Sequence, residues 1–400
     1  MTDSHDKTTS RRIPLGIWAL GFVSLLMDTS SELIHSLLPL FLFSVLGASA
    51  LTVGLIEGVA ESTAMIVKVF SGTLSDYLGK RKMLTVVGYG LGALSKPLFA
   101  IASSAGMVFV ARFIDRTGKG IRGAPRDALV ADITPPHVRG AAYGLRQALD
   151  TVGAFLGPLL AVGLMLLTSD DFRTAFWVAV VPACLAVALL IVGVREPPRP
   201  AGETRTNPIR WRQLRRLGGA YAWVVAIGAM FSLARFSEAF LLLRARDADL
   251  PLAWIPMVMV AMNVVFAIAA YPFGRLADRV SHSRLLALGL SVLIGADLVL
   301  AHGTAWPVLF VGVGLWGLHM GITQGLLATM VADAAPADLR GAAFGFFNLL
   351  SGVTMLVASA LAGLLWDTFG AASTFYAGVA FCILALAAIG IKETRDRTFA

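Results

Sequence analysis

The sequence predicts an all-α integral membrane protein, with twelve transmembrane helices in two pseudo-symmetric six-helix bundles. Three observations predict it. Apolar runs of about 20 residues recur along most of the 400-residue chain, and each can span a bilayer core of about 30 Å. Charged residues make up only 14% of the chain, where a soluble domain carries about 25%. Two short stretches return about two hundred residues further on. The apolar runs are continuous rather than alternating, which argues against a β-barrel.

Twelve segments follow from the apolar periodicity. They lie at about 14–46, 51–75, 83–103, 106–133, 139–168, 172–194, 218–244, 252–276, 284–303, 306–332, 340–366 and 371–391. Those longer than about 25 residues must tilt or extend beyond the lipid. The longest connection, 195–217, is rich in Pro and Arg and divides the chain six and six. The expected organisation is a tail (1–13), a first bundle (14–194), a linker (195–217), a second bundle (218–393) and a closing tail (394–400). The opening residues lack the pattern of a removable signal peptide, so the first segment is expected to remain as a helix. Cys184 and Cys382 each lie in an apolar segment and read as core residues, with no disulfide framework or metal spacing.

Loop charge sets the orientation. Lys7, Arg11, Arg12, Lys80, Arg81, Lys82, Arg139, seven linker arginines, Arg279, Arg284, Arg340, Lys392, Arg395 and Arg397 fall on one side, twenty in all. The other side holds Arg173, Arg244 and Arg246. Both termini and the linker are therefore expected in the cytoplasm, in a multi-pass protein of the cell inner membrane. The net charge of +8 sits mainly in these short connections, which argues against nucleic acid as a partner.

The repeats identify the halves. Pro136-His-Val-Arg-Gly-Ala-Ala-Tyr-Gly144 returns as Ala337-Asp-Leu-Arg-Gly-Ala-Ala-Phe-Gly345, shifted by 201. Gly72-Thr-Leu-Ser-Asp-Tyr77 returns as Gly274-Arg-Leu-Ala-Asp-Arg279, shifted by 202. Two matches at nearly one spacing imply duplicated bundles with a site between them near mid-membrane. At these residues the chain resembles the major facilitator superfamily. The resemblance rests on Gly72, Leu74, Asp76, Gly79, Arg81 and Lys82 between the second and third segments, and on the displaced copy. It extends to Arg112 in the fourth segment, and to Gly153, Gly157 and Pro158, which resemble a Gly-Pro motif associated with antiporters. It implies a gate built on Gly72, Asp76, Gly79, Arg81, Arg112 and, in the second copy, Asp278. Ser281 replaces the second copy's glycine, which implies a second gate that is either looser or latched by other contacts.

The charges inside the first bundle carry the chemistry. Arg112, Asp115, Arg116, Lys119, Arg122, Arg126 and Asp127 project into one arc of about 140° if helical. Facing lipid at the bilayer centre, they would cost on the order of 20 kcal/mol, more than the roughly 5–15 kcal/mol that stabilises a typical domain. Those not near the cytoplasmic end must therefore face the bundle interior, paired or hydrated. Asp28, Glu32 and His35 share one face of the first segment, and Glu57, Glu61 and Lys68 one face of the second. Lys96, Arg146 and Asp150 complete an inventory of seven acids and eight bases. One reading is a near-neutral ionic network holding the bundle together. The other gives its members tasks. Asp28, Glu32, Glu57, Glu61 and His35 are proton-coupling candidates, with His35 also readable as a satisfied cavity histidine. Arg116, Lys119, Arg122, Arg126 and Arg146 are candidates for an anionic substrate group.

The second bundle is poorer in charge. Arg235 and Glu238 read as a local ion pair or as cavity lining; Arg235 and Gln324 join the substrate-binding candidates. Asn263, His319 and Asn348 could also face the cavity, and Asp297 reads as peripheral. Trp254, Trp316 and Trp366 read as packing or interface anchors. Met257, Met259 and Met262 lack a repeated soft-ligand spacing, so no metal is expected.

The expected function is a secondary active transporter working by alternating access, not an enzyme, with no cofactor. Its partners would be a small-molecule substrate, protons and the lipid bilayer, and it is expected to act as a monomer. A small or amphipathic organic solute with an anionic group is favoured, probed against three alternatives: a multidrug efflux antiporter, a divalent metal-cation carrier and a non-transporting membrane sensor.

Overall fold

The computed structural model describes residues 13–196, 217–336 and 339–398, without the side chains of Asp76 and of residues 392–398. Nearly all of the expected N-terminal tail, most of the linker and the Asp76 carboxylate thus lie outside the described residues. Fourteen α-helices are described: α1 (Leu15–Leu40), α2 (Ala50–Leu78), α3 (Arg81–Ile101), α4 (Ala105–Ile133), α5 (Arg139–Thr168), α6 (Phe172–Gly193), α7 (Gly219–Ala234), α8 (Ala239–Asp247), α9 (Met257–Ala277), α10 (His282–His302), α11 (Trp306–Thr323), α12 (Leu326–Ala334), α13 (Arg340–Phe369) and α14 (Ala371–Thr398). Eleven stretches are long and apolar enough to cross a membrane. The twelfth crossing is α4, whose charges keep it from qualifying on composition.

Two crossings are broken, where the sequence predicts continuous helices over 218–244 and 306–332. The first, Gly219–Asp247, consists of α7 and α8, separated at Arg235–Glu238. The second, Trp306–Ala334, consists of α11 and α12, separated at Gln324 and Gly325. Gly325 has φ +75°, a left-handed conformation open to glycine at little cost. At the end of the chain, α14 runs to Thr398, so helix continues past the expected bundle limit at 393.

The duplicated sequences do the same local task twice. α5 and α13 each run 30 residues and begin at the repeated arginine. Arg139 Nε donates to Thr134 O at 3.3 Å, and Arg340 Nε donates to Ala332 O at 3.2 Å. Each cation thus satisfies a carbonyl at or near the end of the preceding helix, where the macrodipole is negative. Gly79, at φ +67°, closes α2 by donating its N–H to Ser75 O at 3.0 Å. Its counterpart Ser281 carries a side chain, and α9 stops at Ala277, with the N–H groups of Arg279 and Val280 both turning back to Leu276 O. The three basic residues of the opposite face are also committed. Arg173 donates to Ala100 O and Ala102 O at the end of α3, Arg244 to Leu300 O and Gly303 O at the end of α10, and Arg246 lies 4.8 Å over the Phe43 ring.

The halves meet mainly through α1, α2 and α5 of the first and α8, α9 and α13 of the second. Along the α2–α13 seam, Gly54 and Gly58 form a Gly-x-x-x-Gly pair facing Ser359 and Leu356, and Gly363 faces Ala50 and Leu51. A Cβ at Gly54 or Gly363 would overlap the opposing backbone, so small residues set the interhelical distance. At the end of the seam remote from the basic loops, Asp367 of α13 accepts from Ala50 N at 3.0 Å and Leu51 N at 2.8 Å, capping α2 across the bundle interface.

Candidate functional site: a central cavity beside a buried ionic network

A cavity of about 310 Å³ lies between the halves, a size that suits a small organic molecule. The first half lines it with Glu32, His35, Glu61, Met65, Arg116, Lys119 and Ala154; the second with Arg235, Phe236, Ser237, Glu238, Met259, Asn263 and Met355. The α7–α8 break is what brings four consecutive residues to the cavity, because a helix would turn half of them away. Both readings of Arg235 and Glu238 hold together: they pair at 3.4 Å and they line the cavity.

Most cavity charges are matched. Arg116 pairs with Glu61 at 3.3 Å, and His35 Nδ1 lies 3.1 Å from Glu32. Lys119 is different. It is exposed to the cavity and no hydrogen bond or ion pair to it is described. Behind this wall lies a drier layer. Arg112 pairs with Glu57 at 2.6 Å, and Lys96 donates to Asp115 at 2.7 Å and to Ser31 at 3.0 Å. His35 Nε2 stands 3.5 Å from Glu57 and links the two layers. Glu57 is fully buried, and among the described contacts His35 joins this proton-coupling candidate to the cavity lining.

Arg122, Arg126 and Arg146 do not line the cavity. They form a second cluster between α1, α3, α4 and α5. Arg122 lies 3.9 Å from Asp28 and 4.5 Å over the Tyr89 ring. Arg126 reaches Asp127 at 3.3 Å, Asp150 at 3.8 Å and Ser24 Oγ at 3.1 Å. Arg146 reaches Asp150 at 3.3 Å. Asp28 belongs to this cluster rather than to a Glu32–His35 site. Among the described residues no group of three or more His, Cys, Asp or Glu is placed to hold a metal ion. Gln324 is exposed at the α11–α12 break, outside the cavity lining.

The residues assigned to a gate are dispersed. Gly72 packs near Ala124 of α4, and Gly79 caps α2. Arg81 forms an ion pair with Asp132 at 2.5 Å and donates to Ala128 O at 3.2 Å, while its backbone N–H reaches Glu196. It thus fastens α3 to the end of α4 and to the chain leaving α6. Arg112 lies about 20 residues from Asp132 along α4, which is about 30 Å at 1.5 Å per residue. It belongs to the buried network, not to the loop. Asp278 is exposed at the end of α9. Gly153 and Gly157 pack against the α1 backbone beside Leu25 and Thr29.

Sequence reasoning passed over Met65, Met355, Phe236 and Ser237, which have no signal apart from apolar surroundings. It also passed over Gly54 and Gly58, whose spacing is a readable packing motif. Trp316 and Trp366 pack in the core as expected of anchors, beside Phe236 and Phe240. Asp297 is fully buried, against the expectation of a peripheral place.

Comparison with known proteins agrees with this architecture. A family profile described as "Major Facilitator Superfamily" matches residues 20–349 and 247–398. The chain is 32% identical over 363 residues to an uncharacterized MFS-type transporter of Methanocaldococcus jannaschii, covering 89% of each chain. It is 27% identical to the multidrug resistance protein MdtH of Aeromonas hydrophila, covering 85% of each. The crystal structure of the nucleoside transporter NupG superposes with a TM-score of 0.78 at 11% identity, covering 94% of this chain and 99% of that one.

Proposed function

The chain belongs to the major facilitator superfamily and is a multi-pass membrane transporter rather than an enzyme; on that premise, we propose that it carries a small organic anion with an apolar body by proton-coupled alternating access. The observation that carries the reading is Lys119, a cation exposed in the central cavity that has no described hydrogen bond or short ion pair and feels Glu32 and Glu61 only through space. Glu61 already balances Arg116, and Glu238 balances Arg235. A carboxylate or phosphate entering the cavity can make the direct contact that Lys119 lacks, and Arg235, held by one long contact, can turn to the same group. Met65, Met259, Met355 and Phe236 offer an adaptable apolar wall, and Asn263 and Ser237 can bond a polar substituent.

Glu32, Glu61 and His35 line the same cavity and supply groups that can exchange protons with it. The basic loops favour an orientation with the termini on the cytoplasmic side of a cell membrane. On that orientation the α2–α13 seam and Asp367 hold the halves together at their outer ends. The test is flux into proteoliposomes under an imposed pH gradient, screened across organic anions, organic cations and metal ions. An organic anion should be driven by the gradient, and Lys119→Gln should raise its KM about tenfold while Lys119→Arg retains it, since a charged hydrogen bond is worth about 1.5–3 kcal/mol. Equal KM values for the wild type and Lys119→Gln would overturn the anion reading.

The methionines favour a second reading, a multidrug antiporter, because flexible thioethers suit varied ligands. That reading expects flux of several unrelated organic cations, lost in Glu32→Gln or Glu61→Gln and indifferent to Lys119→Gln.

A further inference from the structure

We propose that Asp297 is a proton-binding site in the second half of the carrier, separated from the central cavity by the Phe236 ring and opened to it by movement of the α7–α8 break. This deepens the proton-coupled reading and rests on it for its purpose, though not for its chemistry. Asp297 lies on α10 with no solvent exposure, and among the described residues neither carboxyl oxygen has a hydrogen-bond partner. Every intramembrane acid of the first half has a cation or histidine within 4 Å; Asp297 has none described. A carboxylate buried without a cation or hydrogen-bond donor pays a desolvation cost that favours the neutral form. The acid is therefore kept here as the neutral COOH group.

The room for that group is built by Gly378 of α14. A Cβ at residue 378 would overlap the Asp297 carboxyl and would stand 3.4 Å from the Phe236 ring. Asp297 and Phe236 thus share one small pocket wall. The opposite side of the assignment is equally local, because Phe236 also lines the central cavity. The ring is carried on non-helical backbone between α7 and α8, so its position is not fixed by a helical hydrogen-bond ladder. The neighbouring Ser237 N–H rests on Ser359 Oγ at 3.3 Å, a contact that a small shift can exchange.

The other groups facing this region do not neutralise a carboxylate. From α14, Cys382 is buried one turn beyond Gly378. From α11, His319 commits Nδ1 to Gly289 O at 2.9 Å, and Trp316 packs 5.4 Å from Phe236. From the break, Arg235 and Glu238 pair with each other in the cavity. With the ring in place the proton stays on Asp297. With the ring displaced, cavity water reaches the carboxyl, the proton passes to water, and the carboxylate is solvated. The bound proton and the position of the break are in that way linked.

The experiment uses the purified full chain in liposomes and dicyclohexylcarbodiimide, an apolar reagent that modifies protonated carboxyl groups. Peptide mass spectrometry should find the adduct on Asp297, absent from Asp297→Asn. In Phe236→Ala, bathing the acid in cavity water should make labelling fall as pH rises through the carboxylate range, while in the wild type labelling stays level. A carbonyl stretch of a protonated carboxyl, lost in Asp297→Asn, should appear in the infrared spectrum at neutral pH. No adduct and no such band in the folded wild type would overturn the protonation claim. Labelling in Phe236→Ala as insensitive to pH as in the wild type would overturn the role of the ring. Neither readout requires a transported solute, so failure of the anion reading in flux assays would be a separate result.

Discussion

Replacing Asp367 with Ala should weaken the seal between the halves. The carboxylate spans them, accepting from Ala50 N at 3.0 Å and from Leu51 N at 2.8 Å, at the N-terminus of α2. Hydrogen bonds to a charged group contribute about 1.5–3 kcal/mol in mutational series. Asp367 is exposed and its bond to Leu51 N lies at the surface, so the lower end applies, and Ser49 Oγ still caps α2 through Thr52 N at 3.2 Å. The tie exists only while the seam is shut, so its loss moves the conformational equilibrium itself. About 1.4 kcal/mol is a tenfold change. Spin labels at Ala48 and Phe369, on a Cys184→Ser background, would report the distance across the seam by double electron–electron resonance. Asp367→Ala should convert a short-distance population into one containing about ten times more of the long-distance state, with Asp367→Asn intermediate. Identical distributions in all three proteins, in the presence and absence of a transported solute, would refute the account of Asp367 as a tie.

Other perturbations follow from the same geometry. Arg112→Met strands Glu57 in a fully buried site and should destabilise the first half by about 3–5 kcal/mol, with Glu57→Leu added to it recovering most of the loss; thermal melting in detergent reads both, and a wild-type melting temperature for the single variant would contradict the buried pair. Gly363→Leu should wedge the α2–α13 seam at a cost of about 1–3 kcal/mol, raising the reactivity of a Met355→Cys thiol toward an impermeant reagent added from the outer face. Gly79→Ala should cost about 1–2 kcal/mol through its left-handed backbone, again visible in the melting temperature, whereas Ser281→Gly should gain nothing because α9 ends earlier.

The twelve crossings, the basic face and the duplication were legible because each is a property of one segment or of two matched segments. Pairing was not. Arg116, Arg122 and Arg126 share an arc of α4, yet Arg116 meets the cavity and the others a separate cluster, since that depends on how far α1, α2 and α5 turn toward them. The break at Arg235–Glu238 carries a faint mark, four residues including two charges inside an apolar run. The other break has only Gln324-Gly325. Asp297 read as peripheral because α10 is apolar almost all round, and such a helix has no pattern separating its core face from its lipid face.

The division of α4's partners has a consequence for how the protein enters the membrane. Glu57, Glu61, Lys96 and Asp28, which pair with its charges, all precede α4 in the chain. Synthesis runs from the N-terminus, so these partners are already made when α4 emerges. Alone in lipid, α4 is a poor insertion substrate; presented to α1, α2 and α3 held together near the site of insertion, it is an acceptable one. Membrane integration of the first half is therefore expected to be collective, with most partners of α4 made before it and Arg126 still awaiting Asp150 of α5. A nascent chain ending after α3 should present acids and Lys96 whose partners are not yet made, and the most charged helix in the protein is the one that supplies them.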